Sequence, residues 1–344
     1  MTNIKNNNII LGFQQRKKRW IVTSILLALI TLLLATFMMT LGNIYYSPST
    51  VIKVLLGEEI KGATFTIITL RLPRMLAGLL VGIAFGMAGN TFQTMLKNPL
   101  ASPDIIGVSS GSSVAAVFCI LILQISGSMV SLISVVSGLF VAGLIYILSK
   151  GGNFSGGRLI LIGIGIQAML NAMISFLLLR ANQYDVPGAL RWLNGSLNGV
   201  QMKNIPGLIV IVIVFGILLV VLGRQLKILE LGEQSATTLG LNTDKTRLML
   251  MISSVFLIAF ASSVTGPVSF VAFLAGPIAT KLVGSGSSNV IPSGLVGSIL
   301  VLGGDLIGQF AFNTRFPVGI ITGILGAPYL IYILVRMNKK GGAA

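Results

Sequence analysis

Trp20 to Gly42 is an uncharged apolar run of 23 residues, lying directly behind the basic cluster Arg16-Lys17-Lys18-Arg19. A helix of that length extends about 34 Å, enough to cross a hydrocarbon core of about 30 Å. Comparable runs recur near residues 73–95, 105–125, 128–149, 159–180, 205–223, 247–265, 267–283, 293–312 and 317–335, separated by short gaps. In lipid only helices and closed barrels satisfy their own backbone hydrogen bonds, and uninterrupted apolar runs of this length read as helices. The expected fold is an all-α polytopic membrane protein with about ten transmembrane helices. Composition agrees, because charged residues make up 9% of the chain against about 25% in soluble proteins.

The basic residues orient the spans. With the N-terminus inside, the inner segments carry about two-thirds of the 24 Lys and Arg, which places both termini on the cytoplasmic side. Residues 1–19 and 337–344 then form cytoplasmic tails around a transmembrane domain at 20–336, with its longest inner loop at 224–247. A signal peptide is the rival reading of the N-terminus. The first run exceeds an h-region of about 7–15 residues and no small-residue cleavage site follows it, which favours a retained span.

A net charge of +16 in a soluble chain would suggest nucleic acid. Here the topology of the loops accounts for it, and nucleic-acid binding is a poor reading. The chain has no His and a single Cys, Cys119. Imidazole or thiolate metal sites and disulfide frameworks are therefore excluded within it, and no metal ligands or cofactor are expected.

Glycine, 41 of 344 residues, recurs at four-residue spacing at Gly78, Gly82 and Gly86, at Gly107 and Gly111, and at Gly319 and Gly323. Such stripes let helix backbones approach closely in lipid. They predict a tightly packed bundle rather than a specific dimer seam. Thr265-Gly266-Pro267 predicts a turn on the outer side between two spans.

Among the acids only Asp305 lies alone within a span, so it is the one candidate for coupling transport to an ion; helix packing is the competing role. No phosphate-binding Gly-x-x-x-x-Gly-Lys-Ser/Thr loop occurs, so ATP would have to be bound by another subunit. The loop from Arg224 to Arg247, with Leu231, Ala236, Leu239 and Leu241 punctuated by Gly232 and Gly240, predicts two very short helices forming a protein-contact surface. On the outer face Arg71 and Arg74 flank Pro73, and Arg315 precedes Pro317. Their guanidinium groups suit bidentate pairing with carboxylates of an incoming protein.

RLPR at 71–74 with the following GLLVGIAFGMAG, NPLASPDIIGVSSG at 98–111, RLILIGIGI at 158–166, RWLNGSL at 191–197, LGEQSATTLGL at 231–241, GPVSFVAFLAGPIATKLVG at 266–284 and FPVGIITGILGAPYLIYIL at 316–334 resemble the FecCD-type permeases of ABC importers. These carry iron–siderophore complexes, haem or vitamin B12. The resemblance implies the fold of the vitamin B12 importer permease and a location in the bacterial cytoplasmic membrane, among membrane lipid. It further implies a homo- or heterodimer with a second permease subunit, two cytoplasmic ATPase subunits that bind ATP and Mg, and an extracytoplasmic substrate-binding protein. Arg71, Arg74 and Arg315 would meet that binding protein. Glu230, Leu231, Gly232, Glu233, Ala236, Leu239, Gly240 and Leu241 would couple to the ATPase. Asn98 and Leu100 would narrow the exit, with Ser155, Gly156 and Gly157 at a second constriction.

Where many members read Pro-His or Pro-Gln followed by Ala-Arg-Arg in the eighth span, this chain has Gly276-Pro277-Ile278-Ala279-Thr280-Lys281, which resembles the branch handling ferric siderophores, particularly catecholates. The resulting expectation is a non-enzymatic permease subunit that passes a ferric siderophore by alternating access. Haem or cobalamin is the alternative cargo. An ion-coupled transporter using Asp305, an exporter and a structural membrane subunit are the alternatives outside that class.

Overall fold

The computed structural model describes residues 2–99, 101–150, 156–284 and 288–341. In chain order the α-helices are α1 (Thr2–Thr40), α2 (Pro48–Leu55), α3 (Leu72–Met95), α4 (Val108–Leu121), α5 (Ser128–Ser149), α6 (Gly156–Arg180), α7 (Val186–Leu193), α8 (Ile205–Val221), α9 (Gly223–Glu230), α10 (Glu233–Thr238), α11 (Thr243–Thr265), α12 (Val271–Val283), α13 (Val290–Phe310) and α14 (Val318–Gly341). Seven segments among the described residues are long and apolar enough to cross a membrane, and Val108–Leu121, Val271–Val283 and Val318–Ile333 are shorter apolar helices. These correspond to the expected runs, and the chain is a multi-pass membrane protein.

The basic N-terminal stretch, expected as a tail, continues α1 as helix, with no proline between Thr2 and Thr40 to stop it. Arg19 on this extension donates from Nε to the Leu282 carbonyl at 3.0 Å, and Trp20 Nε1 donates to the Ser288 carbonyl at 3.0 Å. The basic cluster therefore stands on the same side as the loop joining α12 to α13.

Helix α3 is the central shaft and packs against α8, α11, α12 and α13. Its glycines make this possible. A methyl group on Gly82 would overlap the backbone of Ser298, and one on Gly86 would overlap the Ser293 carbonyl, both on α13. The stripe at Gly78, Gly82 and Gly86 is thus an internal seam, and Gly107 and Gly111 likewise face α5. On α14 Gly319 abuts the Asn194 carbonyl, whereas Gly323 has no neighbour where its side chain would be.

The segment expected as a full span at 267–283 is helical only from Val271, and its 13 residues reach about 20 Å. Residues 266–270 are non-helical and include the expected turn, at 269–270; Gly266 and Val268 in this stretch are buried while Ser269 is exposed. Gly266 has φ +74° and lies against the Trp192 carbonyl, where a side chain would overlap. Ser196 N donates to the Thr265 carbonyl at 2.6 Å and Gly319 N to the Gly195 carbonyl at 3.2 Å. The RWLNGSL, GPVSF and FPVGI stretches thereby form one knot. It gives irregular backbone the protein partners that lipid cannot supply.

Candidate functional site: an arginine cavity, a second cavity at the far end of α3 and two short helices

A π-helical stretch, Phe65–Arg71, leads into α3 with Pro73 in the first turn. The wider turn accommodates a proline ring that would crowd an ordinary α-turn, and it directs Arg71 inward. Arg71 is 9% exposed. Its Nη1 donates to the carbonyls of Met39 and Thr40, each at 2.8 Å, and its Nη2 donates to that of Ile44 at 2.6 Å. It satisfies the carbonyls that the end of α1 leaves without intrahelical donors. The Tyr46 ring lies under the guanidinium at 5.0 Å.

One turn on, Arg74 donates from Nε and Nη2 to the two oxygens of Asp305, each at 2.8 Å. Gln309 Nε2 donates to the same carboxylate at 2.7 Å. Asp305 is 1% exposed and accepts from these three donors. The contacts with Arg74 tie α3 to α13, the helix-packing role weighed for Asp305. Arg71 and Arg74, expected to reach outward, are committed within the chain. Arg315 is exposed and donates to Asn43 Oδ1 at 2.6 Å. All three arginines nevertheless line one cavity of about 520 Å³, together with Asn43, Gln201 and Gln309.

At the other end of α3 lies a second cavity of about 640 Å³, bordered by Asn90, Lys97, Asn98, Glu230, Lys281 and Tyr329. That volume falls within the range of about 300–1,000 Å³ typical of clefts for small molecules. Gln93 Nε2 donates to the carbonyls of Pro99 at 3.0 Å and Phe273 at 2.9 Å, tying the loop after α3 to α12. Asn98, expected at the exit, lies on this wall. Gly156, at the start of α6, would place a methyl group 3.1 Å from Leu96 Cδ2, so the second expected constriction adjoins the same loop. Gly157 follows it on α6. Leu100 and Ser155 lie outside the described residues.

Sequence reasoning missed Asn90 and met Lys281 only as the end of the Gly276–Lys281 segment. Asn90 is 5% exposed, borders the cavity and makes no side-chain hydrogen bond among the described residues. Asn90, Gln93 and Lys97 follow three- and four-residue spacing toward the end of α3, so a polar stripe in an apolar run was the available signal.

The loop at 224–247 folds as the two short helices expected, α9 and α10. Gly232 with φ +113° turns between them and Gly240 with φ +81° follows α10. Leu231 and Leu239 are 64% and 63% exposed, whereas Ala236 is fully buried. Ala236 therefore holds α10 to the body, and the leucines form the outward surface. Glu233 accepts from Arg247 Nη2 at 3.0 Å, Glu230 borders the second cavity, and Leu241 packs partly buried on the core. A side chain on Gly232 would sit 3.4 Å from Lys97 Nζ, which puts the turn between α9 and α10 beside the loop carrying Asn98.

The fold is shared with a solved metal-chelate type ABC transporter in an inward-facing conformation, with TM-score 0.82 and 24% identity over 91% of this chain and 98% of that one. The ferric enterobactin transport system permease protein FepG of Escherichia coli (strain K12) is 32% identical over 94% of this chain and 98% of its own length. The probable siderophore transport system permease protein YfhA of Bacillus subtilis (strain 168) is 33% identical, with 94% and 97% covered. The cobalamin import system permease protein BtuC of Halobacterium salinarum is 32% identical over 77% of this chain and 72% of its own. A family model, that of the FecCD transport family, matches residues 26–336. With the match running from within α1 into α14 across both cavities and the paired short helices, this chain belongs to the FecCD transport family.

Proposed function

We propose that this chain is the permease subunit of an ATP-driven importer that moves a ferric siderophore across the bacterial cytoplasmic membrane, with both termini inside. The observation that carries the reading is the near full-length similarity to siderophore permeases in a chain whose sequence has no ATP-binding loop. A second permease subunit, two ATPase subunits holding ATP and Mg, and an external binding protein complete the transporter in this reading. The chain itself performs no covalent chemistry.

Its parts then divide the work. Arg315, exposed at the rim of the outer cavity, is the residue that meets the binding protein, while Arg71 and Arg74 shape the cavity behind it. Leu231 and Leu239 seat α9 and α10 in the ATPase. Closure of the ATPases pushes the turn at Gly232, and through Lys97 that displacement reaches the Asn98 loop at the inner cavity. Gly156 and Gly157 move with α6 against the same loop. The open amide of Asn90 offers the oxygen-rich chelate a hydrogen-bonding partner on its way out.

The test is to purify the full chain from its own membrane and ask what accompanies it. A stoichiometric P-loop ATPase, whose hydrolysis rises with an iron-chelate-loaded external binding protein, is the expected result. Uptake that collapses with an uncoupler while ATP remains, with no associated ATPase, would overturn it. Cobalamin or haem stimulating the complex in place of ferric siderophore would keep the importer and replace the cargo.

A further inference from the structure

Beside the paired short helices a third cavity, of about 480 Å³, opens between the ends of α5 and α11. Its charged lining is Lys150, Asp244, Lys245 and Arg247, three cations against a single acid, with Tyr146, Ser149 and Asn242 beside them. The ammonium groups of Lys150 and Lys245 are exposed and form no ion pair among the described residues. Asp244 pairs with neither lysine and Arg247 is engaged by Glu233, so the charge left without an ion-pair partner among the described residues is that of the two lysines.

The surroundings say what could fill it. Directly along α5 from the cavity, Phe140, Ile147 and Leu148 are 69%, 68% and 53% exposed, and on α11 Met249 and Ile252 are both 42% exposed. In a membrane protein such faces are covered by acyl chains. The cavity begins where they end, on the side that carries α10. Basic pockets between helices at such a boundary suit anionic lipid headgroups.

We infer that this cavity is a binding site for an anionic phospholipid, the headgroup phosphate held by Lys150 and Lys245 and the acyl chains laid along α5 and α11. Arg247 lines the cavity and bonds Glu233, so the headgroup stands next to the contact that ties α10 to α11. Lipid occupancy would thereby stiffen the coupling end of the chain. The site is independent of which substrate the permease carries.

The test uses the full-length chain in detergent, stripped of lipid and titrated with phosphatidylglycerol, phosphatidylcholine or inorganic phosphate, with retained lipid counted by native mass spectrometry. Phosphatidylglycerol should be retained in preference to phosphatidylcholine. Each lysine replaced by Gln should weaken its binding by about 5-fold, so that Lys150→Gln with Lys245→Gln weakens it by about 30-fold. The double Lys→Arg variant should retain the lipid, and Lys203→Gln, elsewhere on the chain, should change nothing. Unchanged phosphatidylglycerol retention in the double Gln variant, with a melting temperature equal to the parent's, would overturn the site. Stoichiometric displacement of the lipid by inorganic phosphate would identify a free anion as occupant and overturn the lipid assignment.

Discussion

Arg74 and Asp305, 231 residues apart in sequence, meet in a bidentate ion pair that fastens the start of α3 to α13. A third donor, Gln309, completes the carboxylate's shell. Desolvating two charges is expensive, so the pair's net contribution is small, but removing one partner strands the other. Arg74→Ala should therefore destabilise the chain by about 3–5 kcal/mol, while joint replacement of Arg74 and Asp305 by Leu should recover most of that loss. Thermal unfolding of the full chain in detergent checks both. Equal melting temperatures for Arg74→Ala and the parent would show that the carboxylate is not buried as described.

The seam between α3 and α13 makes a sharper steric prediction. Gly86 faces the Ser293 carbonyl with no room for a methyl group, whereas Gly323 on α14 faces open space. Gly86→Ala should separate two helices that lipid does nothing to push together, costing at least about 1–3 kcal/mol through overpacking. Gly323→Ala should leave the isolated chain's stability unchanged. Melting temperatures of the two variants, measured side by side, separate a general intolerance of glycine replacement from the specific seam.

What the sequence made legible follows from range. Each apolar run declares its own helix, and Gly232 and Gly240 announce the breaks around α10 because a positive φ is a local demand. Asp305 in its span was visible as an anomaly, but its partner Arg74 lies on another helix, and no local pattern links them. Arg71 read as an exposed cation for the same reason: the carbonyls it caps belong to the end of α1. The short helix α12 was read as a full span because apolar text does not distinguish a helix from irregular backbone sheltered by other segments. The cavity at the far end of α3 was half-visible, with Asn98 found through a motif and Asn90 left in a polar stripe whose meaning depends on the segments packed around it.

Lys227 on α9 gives a pH-dependent signature outside the spans. Burial lowers its pKa from the ordinary 10.5, with Glu230 pulling it back up and Arg16 adding to the depression. At neutral pH it is charged in the folded and the unfolded chain alike, and the folded state bears the desolvation cost. As pH rises through the lowered folded value toward 10.5, the folded form sheds its proton first and the cost is relieved. Stability should therefore gain from this group on the alkaline side and be flat below it. Lys227→Met should raise the melting temperature at neutral pH and reduce the alkaline slope, as read from melts between neutral pH and about pH 10.

The proposed coupling surface is best tested where exposure and burial diverge between Leu231 and Leu239. Leu231 and Leu239 project outward at 64% and 63% exposure, and Ala236 between them is fully buried. Replacing both leucines by Asp removes apolar contact area without touching the core. It should abolish co-purification of the ATPase while the isolated chain melts as before. Ala236→Glu inserts a charge at a site with no partner and should instead lower the melting temperature by several degrees, since unpaired buried charges cost several kcal/mol. If the leucine pair destabilised the chain and Ala236→Glu did not, α10 would be packed the other way round, and the route from the Gly232 turn through Lys97 to Asn98 would fail with it.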